Sequence, residues 1–133
     1  MKFASALVAA LMLSLSAGPG YASGDAAKGK KQYNRCKSCH TLKAGKNRIG
    51  PSLFGVYGRA AASASGYKYS DGLKAAGKKG LKWDEDNLKK YLKDPTAFLK
   101  EYLGTKSVKN KMKNKYRKES LRENIIAYLK TVK

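Results

Sequence analysis

Apolar residues recur along this chain mostly at spacings of three and four. Leu121, Ile125, Tyr128, Leu129 and Val132 predict a closing helix that starts near residues 118–120, runs to the end of the chain and turns one apolar stripe to a core. Leu88, Tyr91 and Leu92 predict another. Trp83-Asp84-Glu85-Asp86-Asn87 opens that helix, since three acids suit the positive end of a helix dipole and Asp84 or its neighbour can cap it. Asp94-Pro95 ends it, because the residue before a proline avoids the helical region. Thr96-Ala97-Phe98-Leu99 begins a further helical turn. Nearer the start, Ser23-Gly24-Asp25-Ala26-Ala27 reads as the cap of a helix passing through Lys31 and Tyr33 to Cys36. A short helix is predicted over residues 71–76, broken by Gly77 and Gly80.

Between these segments lie loops. Residues 41–66 are rich in Gly, Ala and Ser, with Gly50-Pro51-Ser52-Leu53 as a tight turn into the patch Leu53-Phe54-Gly55-Val56-Tyr57. Residues 104–116 form a basic loop holding Lys106, Lys109, Lys111, Lys113 and Lys115, with Met112 among them. No segment alternates like a strand and no repeat is visible, so the expected fold is all-α with much loop. Gly29 and Tyr33 share a face of the first helix. A surface glycine and a glycine that admits a close helix crossing fit that position equally well.

The first residues belong to no domain. Met1-Lys2 is a short positive start, residues 3–17 are apolar with scattered serines, and Gly20-Tyr21-Ala22 puts small residues where a signal peptidase reads. This predicts a cleaved secretory signal over residues 1–22 and a single domain over residues 23–133. The apolar run is short for a membrane span, so no stable anchor is expected. A domain this small buries a modest core and often needs a staple.

Charge narrows the partners. The chain has 29 Lys and Arg against 9 Asp and Glu, a formal net charge of +20. Such a field favours acidic proteins, nucleic acid or anionic membranes, and for an exported chain acidic protein surfaces are the expected partners, with no nucleic acid.

The chemistry sits in Cys36-Lys37-Ser38-Cys39-His40, a C-x-x-C-H pentapeptide, the attachment signature of a c-type haem. Cysteines three apart lie about one helical turn from each other, so both sulfurs reach the vinyl edge of one porphyrin. His40, four on from Cys36, falls on the same face and can reach the iron. Other readings of two cysteines fit less well. A structural disulfide has no use for the adjacent histidine. A thioredoxin-like pair needs a strand–helix unit around it. A zinc site needs about four N or S ligands, and after signal cleavage the chain has two cysteines and one histidine. One covalent haem c is therefore the expected cofactor. For the second axial position there is no other histidine; Met1 and Met12 leave with the signal, and Met112 remains, with lysine as the other candidate. A thioether is soft and neutral and raises the reduction potential. With both axial positions filled, electron transfer is expected rather than catalysis. The rival is a haem enzyme or ligand-binding haem protein with an open sixth site.

With these residues in place, the chain resembles the class I cytochromes c, nearest to the bacterial periplasmic long-loop group of cytochrome c2 type. The resemblance rests on the pentapeptide, Gly50-Pro51-Ser52-Leu53, Gly66-Tyr67-Lys68-Tyr69-Ser70, Trp83, Tyr91-Leu92-Lys93-Asp94-Pro95-Thr96 and Ile126-Ala127-Tyr128-Leu129-Lys130, in this order. It implies a small fold of helices and loops wrapped around one covalently bound haem, with Cys36 and Cys39 as thioethers and His40 and Met112 on the iron. The Pro51 carbonyl would accept the other imidazole N–H. Arg59, Tyr69 and Trp83 match partners of a propionate, and Tyr91 matches a tyrosine packed near the methionine sulfur. Gly29 and Tyr33 match a helix face crossing the last helix at Ile125, Tyr128 and Leu129. Gly104-Thr105-Lys106 is followed by Ser107, with Met112 later, as in the long-loop members. Leu73 stands where many relatives have an amide. The implied role is a monomeric periplasmic electron carrier, with a cytochrome bc complex as donor and a terminal oxidase or photosynthetic reaction centre as acceptor. Arg35, Lys37, Lys43, Lys109, Lys111 and Lys113 are expected to ring the exposed haem edge and steer docking.

Overall fold

In the computed structural model the described residues are 24–133, so the expected signal segment lies outside them. The five helices among them are α1 (Ala26–Gln32), α2 (Asp71–Lys78), α3 (Glu85–Lys93), α4 (Pro95–Leu103) and α5 (Glu119–Leu129). Extended pairing among the described residues is confined to one isolated bridge, Ala60 with Lys82. The all-α expectation holds.

Side-chain caps start four of these helices. Asp25, Ser70, Asp84 and Asp94 each accept a backbone N–H from three residues on, satisfying a donor that the helix itself cannot. α1 packs across α5, and α3 packs on both α4 and α5. The first crossing is tight because of Gly29: a Cβ there would overlap the Asn124 carbonyl oxygen and come within 2.9 Å of the Tyr128 Cβ. The Tyr33 and Tyr128 rings meet beside it at 5.7 Å, and the Asp25 N–H donates to Asn124 Oδ1 at 2.8 Å. The open choice at Gly29 resolves to the close crossing. Leu81, Leu99, Ile125 and Ile126 are fully buried beneath these helices.

Several boundaries differ from expectation. α1 stops at Gln32 and tightens into a 3-10 turn over Tyr33–Arg35. α2 continues through Gly77, whose missing side chain lets the helix lie against the Ala61 carbonyl, and ends before Gly80. The turn expected at residues 96–99 is the full nine-residue helix α4, with Pro95 in its first turn, where no backbone N–H is needed. α5 ends at Leu129, short of Val132. Its buried face is Arg122, Ile125, Ile126 and Leu129, while Leu121 and Tyr128 are only half-buried.

Candidate functional site

The pentapeptide is one helical turn. The Cys39 and His40 N–H groups both donate to the Cys36 carbonyl, at 3.1 and 2.9 Å. That turn places Cys36, Cys39 and His40 on the wall of one large apolar cavity, which Met112 also lines. Both cysteines are free thiols. Burial, with a smaller push from Cys39 and against the pull of Arg35, raises the Cys36 thiol to about 11.

His40 is fixed from behind. Its Nδ1 lies 2.7 Å from the Pro51 carbonyl oxygen, which can only accept, so Nδ1 carries the proton. Nε2 is left with its lone pair free. Burial holds the imidazole below its usual range, Arg59 adds to this, and the Pro51 bond opposes it. Gly50 makes the placement possible, since a Cβ there would overlap the ring edge and lie 2.8 Å from Nδ1.

The Met112 loop is pinned along its length. The Gly72 N–H donates to the Lys109 carbonyl at 3.0 Å, and the Tyr116 N–H donates to Leu92 at 2.8 Å. Lys115 pairs with Asp94 at 2.9 Å. Buried Arg122 donates from one terminal nitrogen to the carbonyls of Tyr116 and Arg117, each at 2.7 Å. Neither Arg122 nor Tyr116, which also lines the cavity, stands out in the sequence; the only available signal is a cation inside an otherwise apolar helix face.

Arg59, Tyr69, Trp83 and Tyr91 all line the cavity, and Tyr69, Trp83 and Tyr91 are buried. Arg59 donates to the Ser52 and Phe54 carbonyls at 3.1 and 3.0 Å, which leaves its buried Nε without a partner in the protein. Tyr69 accepts from the Ala64 N–H at 2.9 Å, so its own proton is free to donate. Trp83 and Tyr91 pack with ring centroids 4.8 Å apart. Burial pushes the Tyr91 phenol up to about 12, so it keeps its proton, and its hydroxyl points at the buried Asn110. Tyr67, to which the sequence pattern assigns no role, lines the wall and donates to the Ile49 carbonyl at 2.7 Å.

These residues fit a haem c. Two unpaired thiols sit one turn apart beside a neutral imidazole with a free Nε2, and a thioether lines the same apolar cavity. An orphaned guanidinium nitrogen and a free phenol proton suit an acidic side group.

Of the six expected docking cations, Arg35 and Lys111 line the cavity and all six are exposed. Lys111 is also engaged within the chain: it donates to the Lys68 carbonyl and lies 5.1 Å over the Tyr67 ring. Residues 26–70 hold ten Lys and Arg and no carboxylate, and residues 102–118 hold seven and none. All nine carboxylates of the chain sit on helices or their N-caps.

A sequence model of the family Cytochrome c matches residues 26–133. The chain is 44% identical over 122 residues to the cytochrome c2 of Rhodospirillum rubrum, covering 91% of this chain and 90% of that protein. It is 44% identical over 142 aligned positions to the cytochrome c2 of Cereibacter sphaeroides, covering 99% and 97%. The solved structure of cytochrome c2 from Rhodospirillum centenum superposes with a TM-score of 0.78 at 39% identity, over 82% of this chain and 98% of that one.

Proposed function

This chain belongs to the cytochrome c family, with the class I cytochrome c fold and one covalent haem c as its cofactor, and from that premise we propose that it is a one-electron carrier of the periplasm. Relatives across its full length are cytochromes c2, which supports an electron-carrying rather than a catalytic role. The observation behind the proposal is that one cavity gathers Cys36, Cys39, His40 and Met112. Cys36 and Cys39 would hold the haem as thioethers, and His40 and Met112 would ligate its iron. Bound there, the group supplies a ferric/ferrous couple that accepts and returns a single electron. The protein excludes water with the apolar wall and fixes His40 through Pro51; Arg59 would pair with a propionate, and Tyr69 and Trp83 would hydrogen-bond one.

Two of the segments that line the cavity, residues 26–70 and 102–118, are cationic and free of acids, which suits docking on acidic redox proteins. Arg35, Lys37, Lys43, Lys109, Lys111 and Lys113 steer that encounter, with a cytochrome bc complex as donor and a terminal oxidase or photosynthetic reaction centre as acceptor. The chain reaches them as a monomer exported by cleavage after Ala22. No helix among the described residues is long and apolar enough to cross a membrane. The test is a redox titration of the purified holoprotein with carbon monoxide as a probe. The expected result is a reversible one-electron wave and no prompt carbon monoxide binding by the reduced form. Immediate binding would identify an open site and overturn the carrier reading.

A further inference from the structure

Asn110 is a polar residue buried to 6% exposure, two positions before Met112, in a loop otherwise crowded with exposed lysines. Its Nδ2 donates to the Met112 carbonyl at 2.9 Å, and its Oδ1 accepts from the Tyr91 hydroxyl at 3.5 Å. The orientation of the amide is fixed by its partner, since a carbonyl oxygen can only accept and must face the NH2 end. Tyr91 is itself held by Trp83 and by Phe98, whose ring lies edge-on at 6.1 Å. The Asn110 carboxamide therefore joins the rigid α3–α4 packing to the main chain of Met112. The Gly72 N–H on the neighbouring Lys109 carbonyl secures the same stretch from α2.

We propose that Asn110 is the positioning residue for Met112, tying its main chain to the Tyr91 hydroxyl and so holding the thioether at the iron. The proposal rests on Met112 being the second axial ligand. Two consequences follow from the geometry. The Tyr91 hydroxyl is directed at the amide over a long 3.5 Å contact, so its hold on the Met112 main chain runs through Asn110. The lysines Lys109 and Lys113 can then be exchanged for docking strength without loosening the ligand, because neither side chain shares this buried link, whereas Lys111 is itself held by the Lys68 carbonyl and the Tyr67 ring.

The experiment follows imidazole binding to the oxidised holoprotein by stopped flow, with the methionine-sulfur-to-iron charge-transfer band recorded alongside. Imidazole can enter only when Met112 leaves, so its on-rate reads the opening of the loop. Asn110→Ala is expected to raise that rate about tenfold, the loss of one buried hydrogen-bonded link, and to weaken the band. Tyr91→Phe is expected to raise it less, and the double variant no more than Asn110→Ala alone. Asn110→Thr, which keeps a hydroxyl donor at the position, should recover part of the wild-type rate. Leu99→Ala, a core truncation that does not line the cavity, controls for general destabilisation: it should lower the melting temperature and leave the imidazole rate unchanged. If Asn110→Ala does not fold, Tyr91→Phe and Asn110→Thr decide. An unchanged rate in these variants, or a rise that Leu99→Ala matches, overturns the positioning role. Absence of the band in the wild type would instead overturn the ligand assignment beneath it.

Discussion

Gly50 and His40 form a contact in which the smallest residue sets the position of the most important ring. With a Cβ at residue 50 overlapping the imidazole edge, Gly50→Ala has to swing the ring off the Pro51 carbonyl or push the turn outward. Overpacking of this kind costs about 1–3 kcal/mol, and a guanidinium melt of the holoprotein should show a loss of that size. Arg59 is the second such residue. Arg59→Met leaves the Ser52 and Phe54 carbonyls without their donor and removes a positive charge beside the cavity. The oxidised state is then less opposed, so the reduction potential should fall, which voltammetry reads directly; an unchanged or raised potential would mean that Arg59 does not face the haem charge.

At the scale of elements, the crossing of α1 and α5 and the anchoring of the Met112 loop decide whether the cavity keeps its shape. Gly29→Ala forces the two helices apart, because the obstacle is the Asn124 backbone and not a flexible side chain. The expected loss is about 2 kcal/mol or more, measured by denaturant unfolding. Arg122→Met leaves two carbonyls, those of Tyr116 and Arg117, without their buried donor. It should destabilise by about 1–3 kcal/mol and speed exogenous ligand entry, whereas a variant of exposed Lys118 should do neither.

Much of this was legible before any coordinates. The pentapeptide is local chemistry, so its turn follows from spacing, whereas the free side of His40 depends on the Pro51 carbonyl eleven residues on. The cap at Asp84, the cap region around Asp25 and the break at Asp94-Pro95 are equally local. The residues that escaped the sequence are those whose role depends on what lies across the fold. Gly77 reads as a helix breaker until the Ala61 carbonyl is seen against it. Ile126 lies outside the simple stripe of α5 and is nonetheless fully buried, because α5 is covered by α1 on one side and α3 on another. Asn110 and Arg122 look like ordinary polar residues in a basic segment, and only their burial and their carbonyl partners reveal them.

For the whole molecule, charge and haem are the two controlling quantities. All nine carboxylates are used on helices and caps, and five of them lie in ion pairs with lysine, so residues 26–70 and 102–118, which supply part of the cavity wall, carry cations only. Electron transfer with an acidic partner such as a cytochrome bc complex should slow steeply as salt rises from low to physiological levels; a flat rate would remove the steering argument. The haem also closes the core. Cys36, His40, Leu88, Leu92, Ile125 and Leu129 all face the cavity, and without an apolar body there they face one another across a gap. A Cys36→Ala, Cys39→Ala chain that takes up no haem should melt without cooperativity by circular dichroism.

Met112, proposed as the second iron ligand, would make a closed electron carrier out of a haem-binding turn. The most direct measurement is the red-edge absorption spectrum of the oxidised holoprotein, compared with that of Met112→Ala. A methionine-sulfur-to-iron charge-transfer band in the wild type that disappears in the variant is the predicted result. A wild type without the band, or a variant that keeps it, would contradict the account.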